Sequence, residues 1–159
     1  MADLKKVTVR MVEGVPLFMP EIVDKNFPTL PMDEFPHFCG AGEGIAEKIV
    51  PDRILWLYIS IACWIHDIMF CLLSPDKNNW FIANGVLLLN IFMLIIVKGS
   101  KAMVVPRCMI AVPYFWAVMT STGWKIFTDR NVQKEYDPYT DHVLLKKFAR
   151  VGVTLTNEL

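Results

Sequence analysis

The chain has 159 residues, 16 of them basic and 16 acidic, for a formal net charge of zero. That length suits one domain with a buried core, and the balanced charge argues against nucleic acid as the main partner, since phosphate binding shows as a basic surplus. Hydrophobic residues make up 54% of the chain, above the roughly 45–50% of globular domains, so composition alone raises membrane contact as an expectation.

Met1-Ala2-Asp3-Leu4-Lys5-Lys6 leads into an alternating stretch, not an apolar block, so no secretory signal peptide is expected. Val7, Val9 and Met11, then Val15, Leu17 and Met19, alternate on either side of Gly14 and predict a hairpin or a pair of edge strands. Pro16 confines the second run to an edge. Pro28, Pro31 and Pro36 keep the next segment extended, and loop continues to Pro51 save for one helical turn around Ile45–Ile49. Asp52 as a cap predicts a helix over Arg53–Leu72. Ser74-Pro75-Asp76 starts a second helix, with Ser74 expected at the cap, Pro75 in the first turn and Asp76 near the positive helix end, and Gly99 ends it.

No charged side chain lies between Asn78 and Val97, or between Cys108 and Trp124. A third helical stretch is predicted from Pro106 to Phe127, bent near Pro113. The chain after Asp129 is polar until His142–Val151, where Val143, Leu144, Leu145, Phe148 and Val151 predict a short amphipathic helix. The expected fold is mainly α: a helical hairpin, an irregular and partly β N-terminal region, and a third long helix. Residues 1–128 form one domain on this reading, and 129–159 a tail.

Four cysteines (Cys39, Cys63, Cys71 and Cys108) are too few for a disulfide-dense scaffold, and no CxxC string points to zinc. Cys71 and Cys108 read as buried apolar fillers. Cys39 and Cys63 instead fall inside two strings with chemical content, Phe38-Cys39-Gly40-Ala41-Gly42-Glu43-Gly44 and Cys63-Trp64-Ile65-His66-Asp67. A glycine-rich segment can turn carbonyl oxygens toward a hard cation, and a His-Asp pair on a helix offers a general base beside a cation-binding carboxylate. Hydrolysis of an ester by water needs that base, together with positive charge for the oxyanion that forms. Two antiparallel helices joined by a tight turn would bring His66 to face Asn84. The bland alternative is a buried His-Asp pair satisfied by local hydrogen bonds.

The order Phe-Cys-Gly-x-Gly, then Cys-x-x-His-Asp, resembles the calcium loop and catalytic helix of phospholipase A2. The short spacing to Asn84 is most similar to compact viral and microbial members, such as the phospholipase domain of parvoviral capsids, and to small tailed-phage proteins with a CGxG and HD pattern. The resemblance covers about residues 38–90 and is specific as a pair of motifs. It implies that His66 is the general base, Asp67 the side-chain ligand of Ca2+, and Phe38, Gly40 and Gly42 its carbonyl ligands, with Cys39 and Cys63 matching cysteines that the secreted enzymes join. His37 has no counterpart and reads as a solvated loop residue.

Three positions depart from the pattern. Asn84 stands where the family has an Asp that accepts from the catalytic His; an amide oxygen orients the ring but brings no charge to the imidazolium. Phe70 replaces a Tyr, and Glu43 a glycine at the loop exit.

The resemblance implies a calcium-dependent interfacial hydrolase that releases fatty acid from the sn-2 position of glycerophospholipids. Its partners would be a phospholipid membrane surface and other phage virion proteins, and its place a viral particle or host cell. Trp56, Trp64, Trp80 and Phe81 are candidates for the apolar rim of its cleft. A second reading keeps the fold without the chemistry, as a catalytically inactive phage structural or assembly protein. A third is a small integral membrane protein, in which the charge-free stretch spans the bilayer and Lys98, Lys101 and Arg107 mark a cytoplasmic loop. That reading sets His66 and Asp67 inside a span at considerable cost. The aromatic residues Tyr114, Phe115, Trp116 and Trp124 read as core or membrane-facing surface.

Overall fold

The computed structural model describes residues 7–25, 27, 31, 32 and 53–129. It is mainly helical, with a small N-terminal hairpin of β1 (Val7–Val12) and β2 (Val15–Pro20) followed by a short helix α1 (Glu21–Lys25). Glu13 and Gly14 form the hairpin turn, both at positive φ (47° and 82°), the two-residue geometry that matches strand twist. The predicted helical turn at 45–49 and the amphipathic helix at 142–151 lie outside the described residues.

Register decides how β2 tolerates its prolines. Val12 pairs with Val15, Met11 with Pro16, Val9 with Phe18 and Val7 with Pro20. In an antiparallel ladder every second pair exchanges no hydrogen bonds, and counting from the turn these are the Pro16, Phe18 and Pro20 pairs. The two prolines therefore forfeit no ladder bond, and Phe18 alone presents an outward N–H. A buried side chain receives it: Asn90 Oδ1 accepts from Phe18 N at 2.7 Å, and Asn90 Nδ2 donates to Phe18 O at 2.8 Å. The inner face of β2 (Val15, Leu17 and Met19) is fully buried, whereas Val7, Val9 and Met11 face outward and are exposed.

Where a helix from Arg53 was expected, the chain forms a second tiny hairpin, β3 (Arg53–Ile54) and β4 (Leu57–Tyr58), and helix α2 begins only at Ser60, running to Leu72. Leu55 and Trp56 in the intervening turn both have positive φ (45° and 67°), which a helix cannot accommodate. Arg107 stabilises this turn, its Nη2 donating to Leu55 O at 2.8 Å.

Helix α3 (Lys77–Lys98) is the central element. Its cap is Asp76 and not Ser74: the Asp76 carboxylate accepts from Asn79 N at 2.9 Å, while Asn79 Nδ2 donates to Ser74 O at 3.1 Å. At the other end Gly99 stops the helix at an ordinary φ of −74°. Glycine is needed there for space, since a Cβ would lie 2.1 Å from Ile95 O and 2.8 Å from Arg107 Nη1. The same distances put the guanidinium beside the carbonyl end of α3, where the helix dipole favours a cation.

A short 3₁₀ turn (Lys101–Met103) leads into α4 (Val104–Val118), and α5 (Ser121–Thr128) follows after a break. Pro113 does not cause that break. It lies on the exposed side of α4, where the carbonyl deprived of its donor can bond water. The interruption comes instead at Met119–Thr120, with Thr120 Oγ1 capping α5 through Gly123 N. Two helical segments, Lys77–Lys98 and Lys101–Val118, are long and apolar enough to cross a membrane by length and composition.

Replacing Asn90 by Leu leaves both main-chain groups of Phe18 without partners and is expected to cost about 2–3 kcal/mol of unfolding free energy, read by denaturant titration. The Glu13 carboxyl lies below its ordinary value of 4.5, first through Met32 N–H and then through Lys98. Its contribution to stability is complete above that ordinary value and is lost as pH falls through the depressed folded one. The melting-temperature gap between wild type and Glu13→Gln should accordingly be present at neutral pH and close under strongly acidic conditions.

Candidate functional site

α2 and α3 run antiparallel through the turn at Leu73–Asp76, and the pairing brings His66 opposite Asn84. His66 is 6% exposed and Asn84 fully buried. His66 Nε2 lies 2.9 Å from Asn84 Oδ1, and Asn84 Nδ2 donates to Trp80 O at 2.9 Å. The second bond fixes the meaning of the first. A peptide carbonyl only accepts, so the amide nitrogen must face Trp80 and the amide oxygen must face the ring. Nε2 therefore carries the proton, and in the neutral ring the lone pair is on Nδ1.

Nδ1 points toward Asp67, with Oδ1 at 3.3 Å. The Asp67 side chain is 35% exposed, so this edge of the ring meets a partly solvated carboxylate while the other edge is sealed in protein. A lone pair facing a carboxylate oxygen is repulsive unless a proton, a water hydrogen or a cation lies between them. The contact is satisfied when Nδ1 donates to Oδ1, or when a polarised hydrogen or a cation lies between them. Among the described residues no group of three or more His, Cys, Asp and Glu side chains gathers to hold a metal ion.

Phe70, one turn beyond His66, sets its ring 4.1 Å from the imidazole between centroids. Phe127 of α5 stacks edge-on against Phe70 at 4.8 Å, and Trp124 meets Trp80 at 5.5 Å. Phe70 and Trp80 were legible as i+4 and i−4 neighbours of His66 and Asn84 on their helices, but the return of α5 was not.

Of the residues singled out from sequence, His66, Asp67 and Asn84 come together. Phe38, Gly40 and Gly42, with Cys39, His37 and Glu43, lie outside the described residues. Cys63 is disulfide-bonded, to a partner outside the described residues. Cys63, His66 and Asp67 stand at i, i+3 and i+4 of α2, so the disulfide leaves the helix on the face that bears the His-Asp pair. Cys108 is a free thiol, half-buried. The expected apolar rim is corrected by burial: Trp56 and Phe81 are exposed, but Trp64 and Trp80 are buried in the core.

No family model, curated protein or solved structure matches this chain.

Proposed function

We propose that this protein is a calcium-dependent, phospholipase A2-like hydrolase acting on glycerophospholipids at a membrane surface. The reading is carried by one observation, the relay from Trp80 O through the Asn84 amide to His66 Nε2, which leaves the basic Nδ1 beside Asp67. His66 would draw a proton from water at Nδ1. Asn84 would hold the ring still and keep the proton on Nε2. Asp67, with the carbonyls of Phe38, Gly40 and Gly42, would hold the calcium ion, which takes six to eight oxygens. When bound, that ion supplies the positive charge that an ester carbonyl needs as it becomes an oxyanion.

The Cys63 disulfide supports this assignment, because a loop of carbonyl ligands must be fixed over the Asp67 face. The phospholipase A2 resemblance pairs this cysteine with Cys39.

Asn84 has a smaller cost here than in a Ser-His-Asp triad, where Asp to Asn loses about four orders of magnitude through the wrong tautomer. In this chain Trp80 O orients the amide and preserves the useful tautomer, so only the carboxylate charge is missing.

Fatty acid release from phospholipid vesicles is expected at millimolar calcium and should stop on chelation. His66→Gln should lower the rate by about 10²–10⁴-fold, the usual contribution of a general base, with the fold intact by circular dichroism. Asn84→Asp should raise turnover by about tenfold through stabilisation of the imidazolium. It should also cost about 1–3 kcal/mol of stability, because a buried carboxylate would replace the amide that donates to Trp80 O. Folded protein that releases no fatty acid, either as wild type or with Asn84→Asp, would leave the second reading, a phospholipase-like packing module in an assembly.

A further inference from the structure

Helix α4 is built inside out. From Val104 to Val118 it carries one charge, Arg107, which is turned inward and only 7% exposed. Val105, Met109, Val112 and Trp116 recur at spacings of four, three and four, which place them on the opposite face, and all are exposed, Met109 by 71%. The outward face thus presents large apolar side chains and no charge. At its N-terminal end Arg107 binds the carbonyl of Leu55, whose neighbour Trp56 is 79% exposed at a strained positive φ of 67°.

The charge along these helices is one-sided. Although the whole chain is neutral, no acidic residue lies between Asp76 and Asp129, while Lys77, Lys98, Lys101, Arg107 and Lys125 do. Lys77, Lys101 and Lys125 are exposed, and Lys98 is paired with Glu13. A second copy docked face to face would set lysines against lysines with no carboxylate from these helices between them. An anionic surface complements the fringe, and an apolar interior beneath it complements the stripe.

We propose that the outward face of α4 lies on an anionic lipid bilayer, with Val105, Met109, Val112 and Trp116 entering the acyl boundary and Lys101 and Lys125 meeting phosphate headgroups. The site invoked for hydrolysis does not contain these residues. The proposal shares with that reading only the lipid partner, so each can fail alone.

The test is co-sedimentation of the full chain with phosphatidylcholine vesicles, with and without phosphatidylglycerol, in the presence of chelator so that no hydrolysis occurs. Partition should be about 10- to 100-fold stronger with phosphatidylglycerol and should weaken with added salt. Met109→Glu and Val112→Glu, exposed positions that the core does not use, should each lower partition about tenfold while the melting temperature stays unchanged. Hydrolysis of a dispersed short-chain phospholipid with calcium should survive both substitutions, whereas His66→Gln should lower that hydrolysis by about 10²–10⁴-fold and leave binding intact. Equal partition onto both vesicle types, or variants that bind like wild type, would overturn the proposal. So would a dimer that Met109→Glu dissociates, or a chain that alkaline washing cannot strip from membranes, since the first makes the face a self-interface and the second makes it a span.

Discussion

Three buried asparagine amides on one long apolar helix hold this protein together. Between Lys77 and Lys98 nothing in α3 is charged, and apolar packing alone would leave the helix free to slide or rotate against its neighbours. Asn79 fastens its start to the preceding turn, Asn84 fastens its middle to α2, and Asn90 fastens its far half to β2. Each amide is buried, so a slip of one residue would strand it without partners at a cost of about 1–3 kcal/mol per group. Polar bonds worth little in net energy thus select one arrangement from many of nearly equal burial.

The candidate site draws on the same device. Asn84 positions α2 and, because Trp80 O orients its amide, dictates which ring nitrogen of His66 holds the proton. One side chain thus sets both the packing of the helix pair and the tautomer of the ring. A carboxylate would stabilise charge on the ring better, but it could not donate to Trp80 O and would bury a negative group where the helix offers only a carbonyl. The amide settles that conflict in favour of stability.

Charge is also distributed by element. The acid-free segment from Lys77 to Thr128 contributes the central helix, the inside-out α4 and the aromatic return of α5. Arg107 joins these parts to the N-terminal half. One guanidinium meets the carbonyl end of α3 and the strained turn at Leu55–Trp56, and turning inward to do so leaves the opposite face of α4 without charge.

The sequence by itself determined the hairpin around Gly14, the start of α3 at the Ser74-Pro75-Asp76 string, its end at Gly99 and the meeting of His66 with Asn84. These follow from local geometry: turn residues, caps and helix spacing act within a few residues, or within one hairpin of fixed pitch. Only the tertiary structure decided the rest. Leu55 and Trp56 adopt positive φ in a turn whose carbonyl bonds Arg107, a residue 52 positions away. Pro113 stays inside α4 because it falls on the solvent side, and Trp64 and Trp80 are buried while Trp56 and Trp116 are not. An indole carries the same apolar surface wherever it stands, and which face of its element meets another element is settled by contacts far along the chain.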